Sequence, residues 1–108
     1  MSEAPIASRV LEVDGEPVFH VHVYAPVLEA DGETWRCHYV LDGPLTQYQR
    51  YACGADAVQA LVLALQIISV HLEFCEENEA GRLAFFTERG DFGFPAVPRP
   101  QAPTGSEQ

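Results

Sequence analysis

Two stretches of the chain alternate strictly between apolar and polar positions, and one later stretch is apolar on nearly every side. In PVFHVHVYA, residues 17–25, Phe19, Val21, Val23 and Ala25 face one way, and Val18, His20, His22 and Tyr24 the other. In TWRCHYVLD, residues 34–42, Trp35, Cys37, Tyr39 and Leu41 oppose Arg36, His38 and Val40. A period of two is that of a half-buried strand. SRVLEVDG predicts a shorter strand closed by a turn at Asp14-Gly15, and QYQRYAC, 47–53, a fourth strand whose faces are poorly distinguished. RLAFFT, 82–87, predicts one further strand after the helical region, and GDFGFP a turn carrying Phe92 and Phe94.

The loop LEADGE sets the register between the first two alternating stretches. A two-residue Asp31-Gly32 turn would pair odd positions with even ones and put Arg36 and His38 on the face of Phe19 and Val21. A three-residue loop with Gly32 left-handed keeps the apolar sets together. That register makes His22 and His38 diagonal neighbours on the outer face.

DAVQALVLALQIISVHLEFC, 56–75, reads as one helix. Asp56 with Gln59 is a capping-box pattern. At 100° per residue, Val58, Leu61, Val62, Leu65, Ile68, Leu72 and Cys75 form a face expected to lie on the sheet. A second face carries Leu63, Ile67, Val70 and Phe74, and Gln59, Gln66, Glu73 and Glu77 make a polar stripe. A helix lying on one sheet needs only one apolar face, and four large side chains left in water forfeit about 1.5–3 kcal/mol each. Phe92 and Phe94 folding back, or a partner helix from a second copy, would cover the surplus.

Composition narrows the function. The 108 residues make one domain's worth of chain, 47% apolar, with a formal net charge of −10. All six basic residues are arginine. Such acidity disfavours nucleic acid, keeps a protein dissolved and steers a basic protein partner towards it. No run of about 18 uninterrupted apolar residues occurs, so no membrane span is expected, and no secretory signal is expected from the opening residues. Cys37, Cys53 and Cys75 form no C-x-x-C pair, which fits reduced thiols in the cytoplasm.

Candidate chemistry is sparse. His20, His22 and His38 share the outer sheet face with Tyr24 and Arg36, and with Tyr48 or Arg50 as further neighbours, a set with the donors for a borderline metal or a small ligand. No acidic fourth ligand is placed by the sequence, and strand histidines are commonly plain polar residues. Cys53 precedes the helix start, where the dipole favours a thiolate; as a small residue it equally suits a core. His71, between the two helix faces, suits a buried histidine donating to a backbone carbonyl. The tripeptide Arg89-Gly90-Asp91 is a plain turn composition. The catalytic and phosphate-binding motifs G-x-S-x-G, H-E-x-x-H and G-x-G-x-x-G are absent, so no cofactor and a non-enzymatic role are expected.

WRCHYVLDG, and YACGADAVQALVLALQII followed by GDFGFP, resemble a small bacterial domain family of unknown function over roughly residues 8–95. The resemblance implies a sheet followed by a G-x-D-A-x-Q-A-L-x-L-A-L helix and carries over no activity or catalytic residue. By fold and charge alone, small acidic proteins of this build are also similar to immunity proteins that neutralise toxins.

The expected fold is α+β: an antiparallel sheet of about four meander strands, one long helix packed on one face, and one further strand after it. Residues 1–7 are expected to be a flexible N-terminus, 8–95 a single domain and 96–108 a disordered proline-rich tail. The expected role is a protein-interaction module, as a homodimer or with a basic protein, docking through Leu63, Ile67, Val70 and Phe74. The alternative is a metal or small-ligand site at the histidines.

Overall fold

The computed structural model describes residues 4–95; the expected proline-rich tail, 96–108, lies outside them, as do residues 1–3. In chain order the elements are β1 (Ala7–Val13), β2 (Glu16–Val23), β3 (Val27–Leu28), β4 (Trp35–Asp42), β5 (Gln47–Gly54), α1 (Ala57–Phe74), α2 (Glu76–Glu79) and β6 (Leu83–Ala84). The sheet is antiparallel throughout, and β3 prolongs β2 along the same side of β4. Across the sheet the order is therefore β6, β1, β2 with β3, β4, β5. This is the expected α+β meander, with β6 as the expected, though very short, strand after the helix and with β3 and α2 as the added detail.

Local chemistry accounts for the connections. Asp14 and Gly15 both adopt positive φ, 54° and 83°, the two-residue turn whose twist suits a hairpin. Val21 pairs with Leu41 and Val23 with Tyr39, so the strand bodies hold the odd-with-odd register. The loop that delivers it differs from expectation. Val27 pairs with Arg36 and Leu28 with Trp35, odd with even, and the Glu29 N–H donates to the Thr34 carbonyl at 2.7 Å. Residues 30–33 thus form a four-residue loop, with Gly32 at φ 73°. One extra residue between Val23 and Val27, beside Pro26, restores the parity as a bulge.

Asp56 caps α1 as its composition predicts: its Oδ1 accepts from the Gln59 N–H at 2.7 Å, and Gln59 Oε1 accepts from the Ala55 N–H at 2.6 Å. Gly54 allows the tight entry, since a Cβ there would stand 2.5 Å from the Ala60 nitrogen.

The seat of α1 is rotated from the expected one. Its buried residues are Ala60, Ala64, Ile68 and Leu72, every fourth position. Val58 and Val62, expected on the sheet, are 69% and 41% exposed. Two alanines let the helix backbone approach the strands closely, so the contact line runs through the smallest side chains. The larger ones, Leu61 and Leu65 on one side and Leu63 and Ile67 on the other, straddle it half-buried. The 18 residues of α1 reach a mean hydropathy of 1.7, long and apolar enough to cross a membrane by length and composition; uninterrupted runs alone had not suggested this. Here the helix lies over β4 and β5.

The rest of the sheet's inner face is covered by the segment 90–95. Phe92 is buried and Phe94 packs half-buried against the core. Arg9 holds this segment: its Nη1 donates to the Phe92 carbonyl at 2.8 Å, and its guanidinium lies 4.3 Å from the Phe85 ring centroid and 4.9 Å from that of Phe94. Phe94 borders one cleft with Val21, Val23 and Leu65, and another with Ser69 and Leu72. The two phenylalanines therefore serve the Leu65 side of α1, and not the Leu63 side.

Glu77, expected on the polar stripe, is fully buried. Its carboxylate accepts from the Leu45 N–H at 2.7 Å and from the Thr46 hydroxyl at 2.6 Å. It thereby ties α2 to the turn between β4 and β5. Burial pushes its carboxyl up, but the Thr46 hydroxyl and the Leu45 N–H, with further backbone donors, outweigh that and hold it below the ordinary glutamate range.

Two predictions follow from these contacts. Asp56→Ala removes the cap and is expected to lower stability by about 1 kcal/mol in urea unfolding. Glu77→Gln sets an amide against two donors and is expected to cost about 1–3 kcal/mol. Because the folded carboxyl is depressed, its stabilisation is complete above the unfolded glutamate pKa of about 4.3 and is lost as pH falls from there through the folded value. The wild type should lose stability over that acid window faster than Glu77→Gln does; parallel losses would contradict the assignment.

Candidate functional site

The histidines lie on the sheet face opposite α1. Register places His20 beside Asp42 and Val10, His22 beside Val40 and Ser8, and His38 beside Tyr51. His22 and His38 are diagonal neighbours, as the odd-with-odd register requires. The rings of His20 and His22 stack with centroids 6.1 Å apart. His22 Nδ1 lies 2.7 Å from the Ser8 hydroxyl, and the His38 ring leans on Tyr51 at 5.5 Å. His20 and His22 thus lean on each other, while His22 and His38 each have a further partner. Among the described residues no group of three or more His, Cys, Asp or Glu side chains is placed to hold a metal ion.

Arg36 occupies the same face. Its Nη2 meets Glu29 Oε1 at 2.8 Å and its guanidinium stacks on Tyr51 at 4.0 Å. Cys53, exposed, sits opposite Arg36 in register. The Cys53 side chain therefore belongs to the outer face, on the far side of the sheet from α1. The β5 residues on that face are Gln47, Gln49, Tyr51 and Cys53; Tyr48 and Arg50, considered as neighbours of the histidines, instead pair with Leu41 and Tyr39 on the helix side.

There they meet His71. Its Nε2 lies 3.2 Å from the Tyr39 hydroxyl, the tautomer deciding which group gives the proton, and its ring stands 4.8 Å from that of Tyr48. The expected backbone carbonyl is replaced by a tyrosine. Burial, and then the Arg50 charge, push the imidazole below its ordinary value. A neutral ring wedged between two tyrosines fills the layer between α1 and the β4–β5 pair.

The second helix face divides along its length. Leu63 and Ile67 pack half-buried against the core, whereas Val70 is 37% exposed and Phe74 62%. Leu65, on the opposite flank of α1, borders a cleft with Val21 and Val23, so the Leu63–Phe74 flank is the one turned towards the β5 side of the sheet. β5 pairs with β4 along one edge only; among the described residues no strand pairs with its other edge. That edge is eight residues long and carries neither proline nor lysine. Arg50 folds back onto the Gln49 carbonyl at 3.3 Å as a thin cover.

The residues 43–72, which supply β5 and nearly all of α1, contain one acid, Asp56, and one base, Arg50. A chain of net charge −10 therefore has a nearly neutral stretch, and it holds the open strand edge and the outward apolar flank as far as Val70; Phe74 lies just past it, between Glu73 and Glu76. Sequence reasoning found the flank and missed the edge, because edge position depends on which strand pairs last. It also missed Phe86, 78% exposed at the other margin of the sheet, in a turn where Phe86 and Thr87 hold φ of 49° and 67° without a glycine.

No curated protein matches the chain, and no solved structure matches it. A family model does match, over residues 7–96. The chain belongs to DUF6968, a family described as a domain of unknown function.

Proposed function

We propose that the chain is a non-enzymatic protein-interaction module that docks through the free edge of β5 and the adjoining Leu63–Phe74 flank of α1. One observation carries this reading: Val70 and Phe74 stand exposed on the flank of α1 turned towards an unpaired strand edge, and that edge with the flank up to Val70 is the least charged stretch of a strongly acidic chain. An open edge offers a ladder of backbone donors and acceptors, and an apolar flank beside it offers desolvation. Together they supply the hydrogen-bonded register and the buried anchor that a specific interface needs.

The outer sheet face competes for this role, since Val10, Val18 and Tyr51 are exposed on it. Its histidines and Arg36 are engaged with one another or with Ser8, Glu29 and Tyr51. It therefore supports the docking reading less well.

A photoreactive benzoylphenylalanine at Phe74, with the same residue at Val18 as the control, tests the proposal in cells expressing the full chain. Adducts are expected from position 74 and not from position 18. Absence of adducts at 74, or adducts at 18 alone, would overturn it.

A further inference from the structure

We infer that the occupant of this face is a second copy of the chain, paired β5 to β5 about a twofold axis normal to the sheet, with the two α1 helices side by side in one layer. The inference rests on the docking reading above and adds the identity of the partner.

Charge selects the partner. Two copies, each at −10, repel wherever their acids meet. The side built from residues 43–72 brings one acid and one base per copy and so removes that obstacle. A basic partner would be drawn elsewhere, to Glu29, Asp31 and Glu33 around the β3–β4 loop. The neutral side fits a copy of itself.

Geometry closes on the same answer. Paired strands lie about 4.8 Å apart, so the axis would run about 2.4 Å beyond β5. A helix lying over β4 and β5, taken as centred between them and along them, stands about 2.4 Å inside β5 and hence about 5 Å from the axis. The two helices would then stand about 10 Å apart, the upper end of ordinary helix packing. They run antiparallel, so Phe74 of each copy reaches towards the N-terminal half of the other helix. The strip is about 27 Å long, from eight residues at about 3.4 Å, and about 20 Å deep through both layers. That buries on the order of 1,000–1,400 Å² in total, within the range of specific interfaces.

Register follows from parity. Both helices share a layer only if even positions of β5 oppose even positions, because Tyr48, Arg50 and Ala52 face α1 through their partners Leu41, Tyr39 and Cys37. Pairing centred on Gln49 or on Tyr51 meets this condition and keeps Arg50 from facing its own copy, which like charges disfavour.

Sedimentation velocity on the full chain from about 1 to about 100 µM, the span of weak specific dimers, reads the mass directly. A species of twice 11.9 kDa is expected, and Phe74→Glu is expected to weaken it about tenfold or more. In a Cys53→Ser background, oxidation of Gln49→Cys or Tyr51→Cys should yield a disulfide-linked pair at whichever position lies on the axis, while Val58→Cys, on the other flank, should not. A monomer at every concentration with no linkage at 49 or 51 overturns the second-copy occupant. If position 74 then still crosslinks to a different protein, the docking reading stands; if it crosslinks to nothing, both fall.

Discussion

The closeness of α1 to the sheet governs the rest of the molecule. Ala60 and Ala64 lie on the contact line, with Ile68 and Leu72 continuing it at the same spacing. Small side chains there bring the helix backbone down onto β4 and β5, and the entry is tight enough that Gly54 has no room for a Cβ. Once that line is set, the helix's rotation is set with it. Leu61, Leu65, Leu63 and Ile67 fall to the two sides, and Val58, Val62, Val70 and Phe74 are turned out. Larger residues on the contact line would lift the helix and let it roll, and a different set of apolar side chains would meet water.

Coverage of the inner face is then shared unequally. α1 takes the β4–β5 half, and segment 90–95, held by Arg9, takes the β1–β2 half. The chain's ending is thereby committed to the Leu65 side of the helix. Nothing among the described residues performs the same service on the Leu63 side, where the sheet also stops at β5. Surplus hydrophobicity and an unfinished sheet occur at one margin because the same shortage of chain produces both.

Much of this was legible in the residues. Strict alternation in β2 and β4 reported their faces correctly, because a one-residue slip would have buried Arg36 and His38. Asp56 and Gln59 announced the start of α1, and Asp14-Gly15 the first hairpin. The rotation of α1 was not legible: a helical projection weighted towards large apolar residues treats alanine as weak and so misses a seat made of alanines. Glu77 looked like a solvated charge because its donors, on Leu45 and Thr46, are more than thirty residues away in sequence. The bulge before β3 and the glycine-free turn at Phe86-Thr87 leave no local signature. The open edge of β5 is a property of the whole topology, and QYQRYAC alone is silent on it.

The histidine face shows how shared orientation differs from a site. His20, His22 and His38 lie together as their parity requires, yet among the described residues no three such side chains are placed to hold a metal ion. The β5 margin has the opposite character: its parts are ordinary one by one and complementary as a set. Amide hydrogen exchange measured at a dilute and a concentrated solution of the full chain addresses that margin most directly. Protection rising with concentration across 47–54 and 63–74, with β1 and β6 unchanged, is the predicted result. Equal exchange at both concentrations along β5 and α1 would contradict it.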